Sequence, residues 1–301
     1  TQRNLEINSI AVHPDMPNRV FIGTNNYGVM VSNDGGRNFV PTNDSFTSRF
    51  TYSVVPDSQQ SNRLYAATRN IATGGGFFFV SNDGGASWSP SKSLDVNRVS
   101  PFAILQDRKN ANLMYLGTNL GIFRSLDRGV SWLPLPTTKS AVTPKAPVKK
   151  PAAPVKKGTA VKTPVVTAAS PSVKTVGSIN EKVKVLVFTE DGRNGLFAGT
   201  DKGLYRSYDI AKGWEKLNLG VGINENIFAV HTSPARPGTI WVGTATSGVL
   251  VSKDDGKTWA KAGGAADGVP ISSIASDPER PDYVYVGTSQ TFYVSKDGGA
   301  T

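Results

Sequence analysis

An eight-residue box, standing at Ser81 to Trp88 as S-N-D-G-G-A-S-W, returns along this chain again and again. Copies run from Ser32 to Phe39, Ser125 to Trp132, Ser207 to Trp214 and Ser252 to Trp259, and a last one is cut at Thr301. The box aspartates, Asp34, Asp83, Asp127, Asp209, Asp254 and Asp297, are spaced by 49, 44, 82, 45 and 43 residues. Fixed-period self-similarity identifies an array of one supersecondary unit, and a repeated residue must be explained as architecture before it is given a chemical task.

Each unit has the same parts. An apolar run is followed by a turn, a second run ending in Gly-Thr, a short loop, a third run entering the box, and a short segment after the box aromatic. In the first unit these are Ile7 to Val12, the turn His13 to Asn18, Val20 to Thr24, Asn25 to Tyr27, Gly28 to Val31, the box, and Phe39-Val40. The second run returns as Leu64 to Thr68, Met114 to Thr118, Leu196 to Thr200, Ile240 to Thr244 and Val284 to Thr288. Such β-branched and aromatic runs, bounded by Gly, Pro, Asn and Asp, predict strands and no helix. Four short antiparallel strands every 40 to 50 residues predict an all-β fold, a β-propeller with six visible blades.

The long interval contains a segment of another kind. Residues 136 to 180 are built from Pro, Ala, Lys, Thr and Val, with eight lysines, no acidic residue and no aromatic. This composition predicts a disordered linker, between blades 1 to 3 (residues 1–135) and blades 4 to 6 (residues 181–301). It either loops out between neighbouring blades or joins two separately folded halves. Eight of the ten net positive charges lie in it, so the repeats themselves are close to neutral. Its lysines suit a salt-sensitive contact with an acidic partner, but without aromatics to stack on bases they do not suit sequence-specific nucleic-acid binding. No apolar run reaches the length of a transmembrane helix, and there is no cysteine for disulfide or thiolate chemistry. Both ends read as cut within a longer array, with further blades or with Thr1 to Glu6 closing the ring.

In the box, a carboxylate two residues after Ser and two before Gly suits a tight turn, and the closing Trp suits a plug between blades. These residues resemble the Asp-box, or BNR, repeat S-x-D-x-G-x-[TS]-W of sialidase-like propellers, over all of the chain outside 136 to 180. Similar boxes occur in sialidases, xyloglucanase-type glycoside hydrolases, sortilin-like receptors and photosystem II assembly factors. The resemblance implies that the box lies on the turn between third and fourth strands, opposite the functional face. It also implies, with the Pro/Ala/Lys spacer, an exported bacterial protein. Two copies depart: Phe39 replaces Trp, and Ala211 and Gly213 replace Gly and Ser/Thr in the fourth box, which predicts a looser turn there.

Glycoside hydrolysis needs two carboxylates flanking the bond. Asp15, Asp57, Asp107, Asp191 and Asp277 fall in the turn after each first strand and read as turn residues. Glu6, Asp95, Asp201, Glu225 and Asp267 remain, one per loop, with Asp201 and Glu225 as weak catalytic candidates. A sialidase would also show an F/Y-R-I-P motif and an arginine triad. The chain has only Phe123-Arg124-Ser125 at a box entrance, and Arg49, Arg69 and Arg98 in loops. His13 and His231, the only histidines, both fall where a first strand ends, which reads as a turn feature and not as metal ligation. Gly74 to Gly76 and Gly263-Gly264 lack the context of a phosphate loop. No cofactor is expected.

The loops opposite the boxes are left as the functional surface: Asn25, Asn26 and Tyr27; Arg69 and Asn70; Asn119 and Leu120; Asp201 and Lys202; Thr246 and Ser247; Ser289 and Gln290. Their neutral, hydrogen-bonding character predicts a non-enzymatic module that binds a protein or glycan. A glycoside hydrolase is the alternative.

Overall fold

A computed structural model describes residues 5–46, 49–135, 175–263 and 267–301. Among them it contains six antiparallel sheets, five with their strands in chain order from first to last and the blade-4 sheet with one further strand added outside its last. The first strands, Ile7–Val12, Thr51–Pro56, Pro101–Gln106, Val183–Phe188, Ile227–Thr232 and Ile271–Ser276, lie each against the next. They therefore line the axis, and the fourth strands form the rim. This is the propeller that the repeat predicts. Blades 1, 2, 3 and 5 are four-stranded, and blade 6 has three strands ending at Ser295. No described helix is long and apolar enough to cross a membrane.

The Gly-Thr ending of the second strand has a packing cause. A β-carbon on Gly199 would lie 2.8 Å from Ile227 Cγ2, and one on Gly117 2.9 Å from Val183 Cγ1. The missing side chain makes room for the first residue of the next blade. The threonine closes the following loop: Thr24, Thr118, Thr200 and Thr244 donate Oγ1–H to the carbonyls of Gly28, Gly121, Gly203 and Gly248.

Around each seam, apolar side chains from two neighbouring blades form one cluster, which stabilises the array by nearest-neighbour contact. Trp132 packs with Tyr65 and Phe78 of blade 2, and Trp214 with Tyr115 and Ile122 of blade 3. Trp88 and Trp259 plug the equivalent seams. A pocket bounded by Trp241, Val249, Val284 and Tyr293 occupies this position beside blade 6.

The box itself is a turn fastener. Ser81 Oγ donates to Asp83 Oδ1 (2.7 Å) and accepts Gly85 N–H (2.8 Å), while Asp83 accepts Ser87 N–H (2.9 Å) and Oγ–H (2.5 Å). The same net forms around Asp127, Asp254 and Asp297, and around Asp34 with Asn38 in place of Ser or Thr. The residue after the aspartate joins the box to the first turn of its blade, as in Gly84 N–H to Asn62 O (2.7 Å). Its carbonyl takes an arginine from the preceding blade: Arg19 to Gly84 (2.6 Å), Arg63 to Arg128 (3.2 Å) and Arg206 to Asp255 (2.8 Å).

Three expectations need correcting. The fourth box is a 3₁₀ turn, Ile210–Lys212, with Asp209 as its N-cap accepting Ala211 N–H, and Ser207 Oγ donates to Gly213 O instead of to the aspartate. Residues 175–180 belong to the fold: Thr175–Val176 pairs antiparallel with Trp214–Leu217 as a fifth strand of blade 4, and Ile179 is buried in the seam between blades 3 and 4. The remainder of the expected linker, 136–174, lies outside the described residues. The histidines are not equivalent either. His13 follows its strand, whereas His231 is inside its strand opposite Trp241. Each reaches the next blade, His13 Nε2 to Ser61 O (2.7 Å) and His231 Nε2 to Ser276 (2.8 Å to Oγ).

Candidate functional site

Antiparallel order puts the box turns and the first-to-second-strand turns on one side of the arc. The second-to-third-strand loops and the blade connections lie on the other. On the box side the turn aspartates are capped as their residue type predicts. Asp57 accepts Gln59 and Gln60 N–H, Asp107 those of Lys109 and Asn110, and Asp277 those of Glu279 and Arg280. Displaced carboxyl pKa values on this side fall. The Ser87 hydroxyl and amide hold Asp83 at about 2 and those of Thr258 hold Asp254 at about 2, while hydrogen bonds from Tyr208, Arg193 and Thr189 outweigh burial to put Asp191 at about 2.

On the loop side, several of the predicted residues are spent on the loops themselves. Asn119 accepts Ser100 N–H (2.7 Å) and donates to Arg98 O (2.9 Å), and Asn70 donates to Val96 O (3.2 Å). Ser247 Oγ accepts Asn224 N–H (2.9 Å), Thr246 O accepts Gly268 N–H (2.9 Å), and Asn25 is held by Asn8 (2.7 Å) and Glu6. Tyr27 engages Asn43 through its carbonyl (2.7 Å), and Gln290 N–H donates to Thr288 Oγ1 (3.1 Å). Asn26 has no hydrogen bond among the described residues, and Lys202 has only its backbone N–H on Thr200 Oγ1 (3.0 Å). Glu225 is ion-paired with Lys216 at 2.7 Å, and Asp201 donates its backbone N–H to Lys182 O (3.2 Å). Among the described residues no group of three or more His, Asp and Glu side chains converges as a metal site requires.

A feature missed in the sequence lies on the inner edge of this face. The second residues of the six first strands are Asn8, Tyr52, Phe102, Lys184, Phe228 and Ser272. Alternation along the inner strands sends these side chains toward the axis, where they meet. The Tyr52 and Phe102 rings are 4.9 Å apart at 74°, and Phe50 lies 4.8 Å from Tyr52. Lys182 Nζ sits 4.2 Å above the centre of Phe102 and Lys184 Nζ 3.7 Å above Phe228, while the Arg69 guanidinium lies 6.0 Å from Phe50. Rings and cations thus adjoin across four blades, each cation held partly by a ring quadrupole. None of the three cations has an ion pair among the described residues. Burial, aided by the neighbouring Lys182 charge and opposed by Asp201, lowers the Lys184 pKa to about 8. Burial raises the Tyr52 pKa, against the pull of Arg69. The signal was present in the strands read as a register, where N-Y-F-K-F-S is far from the apolar uniformity of a structural position.

No family model matches this chain. A stretch of 73 residues, 22% of the chain, is 33% identical to a probable oligoxyloglucan-reducing end-specific xyloglucanase of Neosartorya fischeri, of which it spans only 9%. The fold is similar to that of the xyloglucanase of glycoside hydrolase family 74 from Xanthomonas campestris, with a TM-score of 0.64 and 15% identity over 97% of this chain and 44% of that one. It is equally similar to YCF48 from Cyanidioschyzon merolae, with a TM-score of 0.63 and 15% identity over all of this chain and 85% of that one. At this identity the likeness is one of fold: the chain shares its β-propeller with a family 74 xyloglucanase and with YCF48 alike.

Proposed function

We propose that this chain is a non-enzymatic interaction module of the Asp-box propeller class that holds an acidic protein segment against the inner edge of its loop face. The observation that carries this reading is the belt of adjoining rings and cations from Phe50 to Phe228. Stacking on a neutral sugar needs open ring faces. Here Lys182 and Lys184 cover Phe102 and Phe228, so the belt offers ammonium and guanidinium donors backed by apolar surface. That chemistry matches carboxylate side chains on an extended peptide and explains why charge, not ring area, would set selectivity. Asn26, Lys202 and Gln290 rim the same face. Action outside the cytoplasm belongs to the same proposal, as does a supplementary role for the lysines of 136–174 in holding an acidic partner.

The test is binding of a glutamate- and aspartate-rich peptide array to the 301-residue chain, beside neutral xyloglucan oligosaccharides. Salt-sensitive binding of acidic peptides, lost by about tenfold or more in Lys182→Ala/Lys184→Ala, supports the reading. Sugar binding untouched by that double change would refute it.

The local similarity to a xyloglucanase keeps hydrolysis as the second reading, with Asp201 and Glu225 as its carboxylates. Turnover of xyloglucan oligosaccharides, abolished by Asp201→Asn or Glu225→Gln, would establish it in place of the first.

A further inference from the structure

Two neighbouring seams start from the same parts and end differently. Between blades 2 and 3, Asp57 is wholly buried and accepts the Tyr65 hydroxyl (2.5 Å) and the Gln106 amide (2.7 Å), while Arg63 clamps the third box. Between blades 3 and 4 the positions of Asp57 and Tyr65 are held by Asp107 and Tyr115, yet their partners have changed. Phe188 stands where Gln106 stood, Leu113 stands where Arg63 stood, and the box to be clamped is the 3₁₀ turn Ile210–Lys212.

The result is an opening on the box side. Two adjoining cavities of about 300 and 260 Å³ share Asp107, Phe188 and Asn194 as walls, and the second is also lined by Tyr115, Arg124 and Ile210. Tyr115 is only 8% exposed, and its hydroxyl has no hydrogen-bond partner among the described residues. Arg124, directly across the strand pair from it, has neither ion pair nor hydrogen bond among them. The Tyr115 hydroxyl and the Arg124 guanidinium, both reached by solvent and neither committed to a protein partner among the described residues, face the same cavity, where one anionic group can accept from both. Of the other charges at the rim, Arg108 pairs with Glu190 (3.0 Å), Asp209 with Lys212 (3.2 Å), Lys109 Nζ donates to Asn194 Oδ1 (3.3 Å), and Asp107 Oδ1 takes two turn N–H groups.

We infer that this seam is a ligand site, separate from the loop face, for a small aromatic carboxylate bearing a hydrogen-bond donor. Its carboxylate accepts from Arg124 and Tyr115, its ring lies against Phe188 and Ile210, and its donor meets the unoccupied oxygen of Asp107. The cavity dimensions suit a single-ring molecule and are too small for a folded partner.

The test is calorimetric titration of 4-hydroxybenzoate into the full chain, with phenol as the probe lacking the carboxylate. Saturable binding is expected at millimolar concentration or below, weakened about tenfold in Arg124→Gln and a few-fold in Tyr115→Phe. Phenol should bind about tenfold more weakly, and the exposed Arg37→Gln control should bind as the parent does. Thermal melts of each variant establish that the fold is retained. No saturation up to about 10 mM, or binding indifferent to both Arg124→Gln and Tyr115→Phe, would overturn the inference.

Discussion

Gly243 lies directly against Ile271: a β-carbon on the glycine would stand 2.6 Å from the Cγ2 of the isoleucine that opens the next blade. The seam closes because one blade leaves out a side chain where the next inserts one. Gly243→Ala should therefore destabilise the protein by about 1–3 kcal/mol through overpacking, measured by urea denaturation. Only blade 2 carries alanine there, Ala67, and the blade that follows it opens with Pro101.

In the box, the serine is more buried than the aspartate. Ser81 is 1% exposed and takes the Gly85 N–H, whereas Asp83 is exposed. Ser81→Ala should cost about 1–3 kcal/mol by leaving that donor unpaired, and Asp83→Ala about 1 kcal/mol or less because water replaces the carboxylate. Equal losses in thermal melts would contradict this ranking.

Burial lowers the His231 pKa from 6.5 to about 4. The unfolded chain therefore binds the proton first, and the histidine's contribution is complete above about pH 6.5 and lost as the pH falls toward 4. Over that window it amounts to roughly 2–3 kcal/mol. His231→Gln should remove this part of the slope, seen as a flatter plot of unfolding free energy between these values.

Lys184 titrates in the folded state near pH 8. Affinity for an acidic peptide on the loop face should consequently fall as the pH rises through about 8, and Lys184→Arg should move the decline well above that range. Fluorescence titrations from pH 6 to 10 would display the shift.

Ile179 is 5% exposed in the seam where the described chain resumes. Ile179→Ala should cost about 2–5 kcal/mol, an effect out of proportion to a residue next to a Pro/Ala/Lys tract. An unchanged denaturation midpoint would show that 175–180 does not support blade 4.

The last case shows where the sequence was legible. Blade order, the box net around Asp83 and the Trp plugs all follow from a pattern repeated several times, because each is dictated by contacts that every blade makes. Val176 and Ile179 were submerged in the composition of the segment before them, since one partly buried and one buried residue hardly alter a 45-residue average. His13 and His231 looked equivalent until strand pairing put them at different registers. The belt of Tyr52, Phe102, Lys184 and Phe228 was concealed because alternation along one strand does not say which neighbours meet at the axis. Candidates such as Asn119 and Asn70 lie on the loop side, but their side chains serve the loops.

The different closures of the blade 2/3 and blade 3/4 seams have a consequence for how the array can vary. Because each seam depends on its two flanking blades alone, Phe188 and Leu113 could arise without disturbing the seam that Asp57 closes. A repeat array can in this way give each joint its own closure, so that chemistry differs between repeated units as readily as in their loops.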